Sequence, residues 1–283
     1  MRFTFLGTGT SAGVPSIGCD CAVCTSDDPR DRRLRTSAAL EWTDPTGQAR
    51  TLLLDAGPDL RQQALRADLQ RCDAILFTHN HVDHTFGLDE VRRFNVVMQA
   101  PVDIWAEART MDALKRVYQH IFDRQNNVND SFVATLIPRL IESETPIKLW
   151  GLRVTPLRLL HGRLPILGFK IESELPAAQG LLPLAYCTDV SGVPPETWPA
   201  FRGVQTLVLD ALRHRKHPTH LTIGQATSMA HQIGAARSWF VHMSHDVAHA
   251  TTDADLPGAM NLAFDGLVLD GAGLPADPGR TSV

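Results

Sequence analysis

The sequence predicts an α/β fold: two mixed sheets sandwiched between helices, in one domain. Three observations carry this expectation. Short apolar runs of strand length recur through both halves of the chain. Helical patterns lie between and after them. Residues able to ligate metal stand just past the ends of several runs, where rigid strand ends let the departing loops converge on one site.

In chain order, residues 2–6 (Arg-Phe-Thr-Phe-Leu) read as the first strand, and Gly7-Thr-Gly9-Thr-Ser-Ala-Gly13 follows. Its spacing is G-x-G-x-x-x-G, not the G-x-G-x-x-G of a dinucleotide-binding turn. Pro15 and a cysteine cluster come next instead of an amphipathic helix. A flexible turn beside the site is expected there, not a nucleotide. Further strands are expected at Thr51 to Leu54, Ala74 to Phe77, Leu152 to Leu160, Leu184 to Cys187, Leu207 to Leu209 and Trp239 to Val241. Helices are expected over 58–67, 88–98, 108–122 and 223–233. The last has the clearest ends: Thr222 and Gln225 have capping-box spacing, and Gly234 supplies a stop. Residues 124–130 read as an exposed loop. Residues 1–270 form the expected domain, and 271–283, rich in Gly, Pro and Asp, read as a flexible tail.

Composition narrows the function. The 283 residues are 43% hydrophobic, ample for a large core. A formal net charge of -4 disfavours a nucleic-acid partner, whose binders carry a basic balance or stripe. No apolar run approaches the length that spans a bilayer, and the chain enters a strand at once, without a leader. A cytoplasmic protein with no membrane partner is expected. The five cysteines are Cys19, Cys21, Cys24, Cys72 and Cys187. An odd count without a leader argues against a disulfide framework. Cys72 and Cys187 border apolar runs and read as small core residues. Cys19, Cys21 and Cys24 supply three thiolates at C-x-C-x-x-C spacing, one ligand short of a tetrahedral zinc site.

The densest signal is Thr78-His79-Asn80-His81-Val82-Asp83-His84, directly after an apolar run. Three imidazoles and a carboxylate in six residues suit zinc, manganese or iron. In an extended backbone His79 and His81 point the same way. Asp83 and His84 lie past the point where the chain turns into a helix, and can aim at a second metal beside the first.

This run matches the H-x-H-x-D-H signature and resembles the metallo-β-lactamase superfamily, over nearly the whole chain from Phe3 to about Leu269. The resemblance implies an αββα sandwich with two catalytic divalent metals. It makes His161, in Leu-Leu-His-Gly, the third ligand of the first metal, and His242, in Phe-Val-His-Met-Ser-His, the last ligand of the second. Asp189, in Tyr-Cys-Thr-Asp, would bridge the pair, and Asp55, in Leu-Leu-Leu-Asp-Ala-Gly, would support the ligands from behind. The segment Gly-Val-Pro-x-x-Gly-Cys-x-Cys-x-x-Cys is similar to one in a narrower family, the phosphoribosyl cyclic phosphate phosphodiesterases of the carbon–phosphorus lyase pathway. That similarity implies one structural zinc on Cys19, Cys21, Cys24 and His245. It also assigns His220, in Pro-Thr-His-Leu-Thr, as general acid.

The implied reaction is hydrolysis of a small, cyclic or diester phosphate by water activated between two cations about 3.5–4 Å apart, with Asp83 in the catalytic set and His220 protonating the leaving oxygen. The implied partner is a small phosphate-ester substrate, and the sequence is compatible with a homodimer. Arg213-His214-Arg215-Lys216-His217 reads better as a solvated basic loop than as a phosphate site. Asp210, at another strand end, reads as structural support. Two alternatives share parts of this pattern. tRNA 3′-end processing uses similar ligands, but no long Gly/Pro-rich arm is evident. The pyrroloquinoline quinone accessory proteins share the cysteine-rich loop, but often with a degraded histidine run, which is complete here.

Overall fold

Strand β1 (Arg2–Gly7) shows why the apolar runs are continuous rather than alternating. Phe3 and Phe5 point into one core and Leu6 into another, so both faces of the strand are buried. The same division repeats along β3 (Ala49–Leu54), β10 (Leu184–Cys187), β11 (Thr206–Asp210) and β12 (Arg237–Val241). On β3, Leu52 and Leu54 face the partner sheet while Leu53 faces helices. On β12, Trp239 and Val241 face the partner sheet while Phe240 faces helices. The chain therefore stacks as helix, sheet, sheet, helix, with three apolar interfaces. The computed structural model describes residues 1–123, 132–173, 175 and 180–276.

The first sheet runs β14 (Val268–Leu269), β1, β2 (Ser37–Thr43), β3, β4 (Ala74–Leu76), β5 (Val102–Ala106), β6 (Leu136–Leu140). The second runs β13 (Met260–Leu262), β12, β11, β10, β9 (Leu164–Ser173), β8 (Leu152–His161), β7 (Ile147–Leu149). Each is antiparallel in one half and parallel in the other: β3 to β6 are parallel, as are β10 to β13. Parallel neighbours need crossovers. These are α1 (Leu60–Arg66); α2 (Val82–Thr85) and α3 (Arg92–Met98); α4 (Ala108–Val117) and α5 (Gln119–Phe122); and, in the second half, α6 (Ile223–Ile233) and α7 (His249–Asp255). Asp55, His79, Asp189, Asp210 and His242 all follow or end parallel strands at their carboxyl ends, the edge where α/β sheets bind ligands. β8 pairs antiparallel to β9, and β9 to β10, so His161 reaches the same edge.

The expected elements appear with instructive differences. α6 has the predicted limits, with the reciprocal Thr222–Gln225 cap and Gly234 at φ 70°. The helix expected over 88–98 begins as a 3-10 turn at Leu88–Val91. The one expected over 108–122 breaks at Tyr118, which is buried and donates its hydroxyl to the Thr85 carbonyl at 3.0 Å. Strand β9 was not foreseen, because Pro165 and Gly168 interrupt its pattern. A Cβ on Gly168 would lie 2.6 Å from Leu159 Cδ1, so close packing explains that glycine. Residues 271–276, assigned from sequence to the tail, fold back instead: Ala276 N–H donates to Val268 and Arg237 to the Ala272 carbonyl. The expected loop at 124–130 and residues 277–283 lie outside the described residues. No helix among the described residues is long and apolar enough to cross a membrane.

Two glycines let the segment carrying the histidine run seat against the exit of β3. A Cβ on Gly57 would stand 2.0 Å from the Asp83 carbonyl oxygen, and one on Gly87 2.1 Å from that of Gly57. Ala56 N–H donates to His84 O, and Gly87 N–H to Ala56 O. Replacing Gly57 by Ala forces backbone apart. Urea denaturation should show a lower midpoint at unchanged slope, corresponding to a loss of about 3 kcal/mol.

Candidate metal centre

Three of the strand ends stop in a conformation that side chains rarely adopt. Asp55 (φ 62°), Asp189 (φ 59°) and His242 (φ 64°) are left-handed at the ends of β3, β10 and β12. Such residues persist only where their surroundings over-determine them, and they gather at functional sites. No sequence pattern marks them.

Asp55 is fully buried and accepts from Thr78 N–H (2.8 Å), Thr78 Oγ1 (2.9 Å) and His84 Nδ1 (2.7 Å). The Thr78 hydroxyl, having given its proton to Asp55, accepts at 2.9 Å from His79 Nδ1. One carboxylate thereby sets two tautomers: His79 and His84 both keep Nδ1–H outward and Nε2 inward. His161 is set likewise, donating Nδ1–H to the Thr219 carbonyl at 2.9 Å.

Two ligand sets result. His79, His81 and His161 bring ring nitrogens together, with ring centroids 4.5–5.6 Å apart. Asp83, His84, Asp189 and His242 form the second. Asp189 Oδ2 lies 3.1 Å from His84 Nε2 and its Oδ1 3.3 Å from His242 Nε2, while Asp83 Oδ2 lies 3.4 and 3.7 Å from the same nitrogens. Asp189 also comes within reach of His161, so it stands between the sets. Asp83 and His84 sit on α2, as the expected turn into a helix requires.

The residues fit a pair of divalent cations. The Nε2 atoms of His79 and His242 are buried with no hydrogen-bond partner, an arrangement that protein interiors avoid unless something else occupies the lone pairs. Neutral imidazole and carboxylate are donors for zinc, manganese or iron. The electrostatics agree. Burial holds the His79 imidazole well below its ordinary range, so it stands neutral. Against the cost of burial, His242 and His84 hold the Asp189 carboxyl well below the usual range, and His84 does the same for Asp83. The carboxylates of Asp189, Asp55 and Asp83 raise His84 despite its burial, so they draw to its Nε2 the positive charge that a bound cation would supply in place of a proton.

His220 stands over these sets. Its ring stacks on His242 at 4.7 Å and 15° and meets His161 edge-on at 4.6 Å. Its Nδ1 lies 3.1 Å from Asp210 Oδ1, and Asp210 Oδ2 accepts from Leu221 N–H at 3.0 Å. Asp210, read from sequence only as support, is therefore the orienting partner of His220. In the basic stretch, Arg213 turns back to the carbonyls of Arg215 and Lys216, and Arg215 pairs with Asp246. Those cations serve the loop itself, as a solvated loop would.

A second centre lies at the amino-terminal loop. The sulfurs of Cys19, Cys21 and Cys24 stand 3.1, 3.5 and 3.6 Å from His245 Nδ1. The Cys24 N–H, which donates to Cys21 Sγ, helps draw that thiol down to about 6, while burial pushes Cys24 up to about 11. Three thiols and one imidazole match structural zinc in kind and number. Arg33, missed in the sequence, is fully buried and clamps this segment, donating to Ser244 O (3.0 Å), Val247 O (2.7 Å) and Asp31 (2.9 Å). The Gly-rich turn, expected to be flexible, is held: Gly9 bridges both Arg35 and Met243.

Comparison with known proteins agrees with this geometry. Residues 50–243 match the family described as the beta-lactamase superfamily domain. The chain is similar to a solved structure described as a new diphosphatase from the PhnP family, with TM-score 0.83 and 39% identity over 95% of this chain and 97% of that one. It is 36% identical over 280 residues to an octanoyltransferase of Porphyromonas gingivalis, covering 97% of this chain and 53% of that protein. The chain thus spans about half the length of that relative. It is 30% identical over 235 residues to coenzyme PQQ synthesis protein B of Methylobacterium nodulans, covering 74% of this chain and 72% of the relative.

Two outcomes follow from the geometry. Cys21→Ser should lose one zinc equivalent by metal analysis and melt at lower temperature, with the other metals retained. Thr78→Val keeps shape but cuts the relay from Asp55 to His79. Competition with a chelator should show metal affinity weakened by about 10–100-fold.

Proposed function

The chain belongs to the beta-lactamase superfamily and is a metallo-β-lactamase-fold hydrolase resembling the PhnP family, and on that premise we propose that it hydrolyses a small phosphodiester, with a cyclic ribose phosphate as the substrate class. The observation that carries this reading is the Asp210-held imidazole of His220 beside two adjoining ligand sets. His79, His81 and His161 would hold one cation, Asp83, His84 and His242 the other, with Asp189 between them. When bound, such a pair supplies Lewis-acid activation of water and neutralises charge on the phosphoryl oxygens.

The chain's own residues supply the rest. Asp55 keeps His84 directly, and His79 through Thr78, in the tautomer that turns Nε2 inward. Asp210 holds Nδ1 of His220, which leaves Nε2 to act on the substrate. Water attacks phosphorus in line and releases one proton to solvent, the far P–O bond breaks, and His220 gives its own proton to the departing oxygen. An alkoxide needs that proton most, because it is a strong base. A departing phosphate, as in the diphosphatase chemistry of the PhnP-family neighbour, needs it less.

Two observations weigh against the other readings. The net charge of -4 gives a tRNA backbone little to hold. A non-hydrolytic accessory or carrier role would not require all seven ligands and an oriented acid.

His220→Ala should lose about 10²–10⁴-fold in kcat on a diester with an alkyl leaving group, and far less on a p-nitrophenyl diester. Asp210→Asn should move the same way to a smaller extent. Equal losses on both substrates would rule out the acid role, and diester hydrolysis that survives His81→Ala would rule out the site.

A further inference from the structure

Thr188 stands between Cys187, at the end of β10, and Asp189, and it has no contact with solvent. Its hydroxyl donates to Asp189 Oδ2 at 2.8 Å. Asp189 is itself buried and left-handed, so neither side chain can turn to water instead. A buried hydroxyl requires a partner, and here the partner is the carboxylate that stands between the two ligand sets.

The two carboxylates are held very differently. Asp55 accepts from a backbone N–H, a hydroxyl and an imidazole. Among the described residues, Asp189 has the Thr188 hydroxyl and no backbone donor. Its other near contacts are His84 Nε2 at 3.1 Å and His242 Nε2 at 3.3 Å, which both belong to the second ligand set. Nitrogens that give their lone pairs to cations cannot also donate to Asp189. The Thr188 hydroxyl is then the protein donor that remains on this carboxylate.

Threonine suits that task. Its branched side chain leaves few rotamers, whereas the outer torsion of an aspartate is broad and needs an external hold. The hydroxyl occupies one lone pair of Oδ2 and leaves one, while Oδ1 keeps both. The two oxygens are thereby made unequal. Thr78 treats Asp55 in the same manner, donating to its Oδ2 at 2.9 Å.

We propose that Thr188 is a positioning residue for the metal pair: its hydroxyl fixes the plane of the Asp189 carboxylate and confines Oδ2 to one cation, so that Asp189 serves both ligand sets at once. This deepens the reading of the site given above and rests on it.

The protein, its catalytic cations exchanged for manganese, is followed by chelator competition and electron paramagnetic resonance. Two equivalents should give the signal of a spin-coupled pair. Thr188→Val keeps the shape and removes the donor. Its affinity for the second equivalent should fall about 10–100-fold, with uncoupled manganese replacing the pair. Thr188→Ser keeps the donor and loses the methyl group, and should retain both affinity and coupling. A packing role predicts the reverse, because valine keeps the methyl and serine does not. Thr188→Ala should follow Thr188→Val, which covers the case in which valine does not fold. A coupled pair of full affinity in the valine or alanine variant, or an equal loss in the serine variant, would overturn the proposal. In turnover, Thr188→Val should lower kcat by the same factor on alkyl and p-nitrophenyl diesters, unlike His220→Ala, because the acid is untouched. Unequal factors would move Thr188 from the metals to the acid and overturn its assignment. The expected manganese behaviour with no diester hydrolysed would support the role of Thr188 and overturn the reaction alone.

Discussion

Asp55 has no solvent, and its carboxylate is spent entirely on three donors of the segment after β4. Burying a carboxylate is expensive unless it is fully hydrogen-bonded, so these bonds are obligatory for the fold. Burial raises the Asp55 carboxyl above its ordinary range, and the bonds from His84 and Thr78 oppose that rise. The same bonds dictate which ring nitrogen of His79 and of His84 faces the cavity. A folding requirement and a chemical requirement are met by one side chain.

The metal centre is held under tension. Three of its residues are left-handed, three of its buried imidazole nitrogens lack partners, and the carboxylates of Asp83 and Asp189 lie within 4.8 Å of each other. Each would cost stability in an ordinary core. They are tolerated because two sheets, buried on both faces, fix the strand ends from below, and because cations would satisfy the unpaired atoms from above.

The two centres share a rigid piece of chain. His242 and His245 lie on one short loop, the first in the catalytic set and the second among the cysteines. Arg33 grips the carbonyls of Ser244 and Val247, and Thr10 N–H donates to the Met243 carbonyl. Zinc in small modules contributes on the order of 10 kcal/mol to folding. A zinc on the cysteines and His245 would deliver that energy to the loop that also carries His242, and so would tie the two centres together mechanically.

The sequence by itself determined the layering, the strand-end placement and the side chains that gather into groups able to hold a metal. Those follow from local chemistry: apolar runs buried on both faces, a cap with the right spacing, and histidines too dense for a surface. It could not show β9, whose Gly168 is required by a neighbour across the sheet, nor the break at Tyr118, where a hydroxyl finds Thr85. Nor could it show that Asp210 orients His220, that Thr78 relays Asp55 to His79, or that Arg33 clamps His245. Such roles depend on partners distant in sequence or on a hydrogen-bond direction. Only the tertiary structure decided them, because a carboxylate or guanidinium acquires its role from what surrounds it once water has been removed.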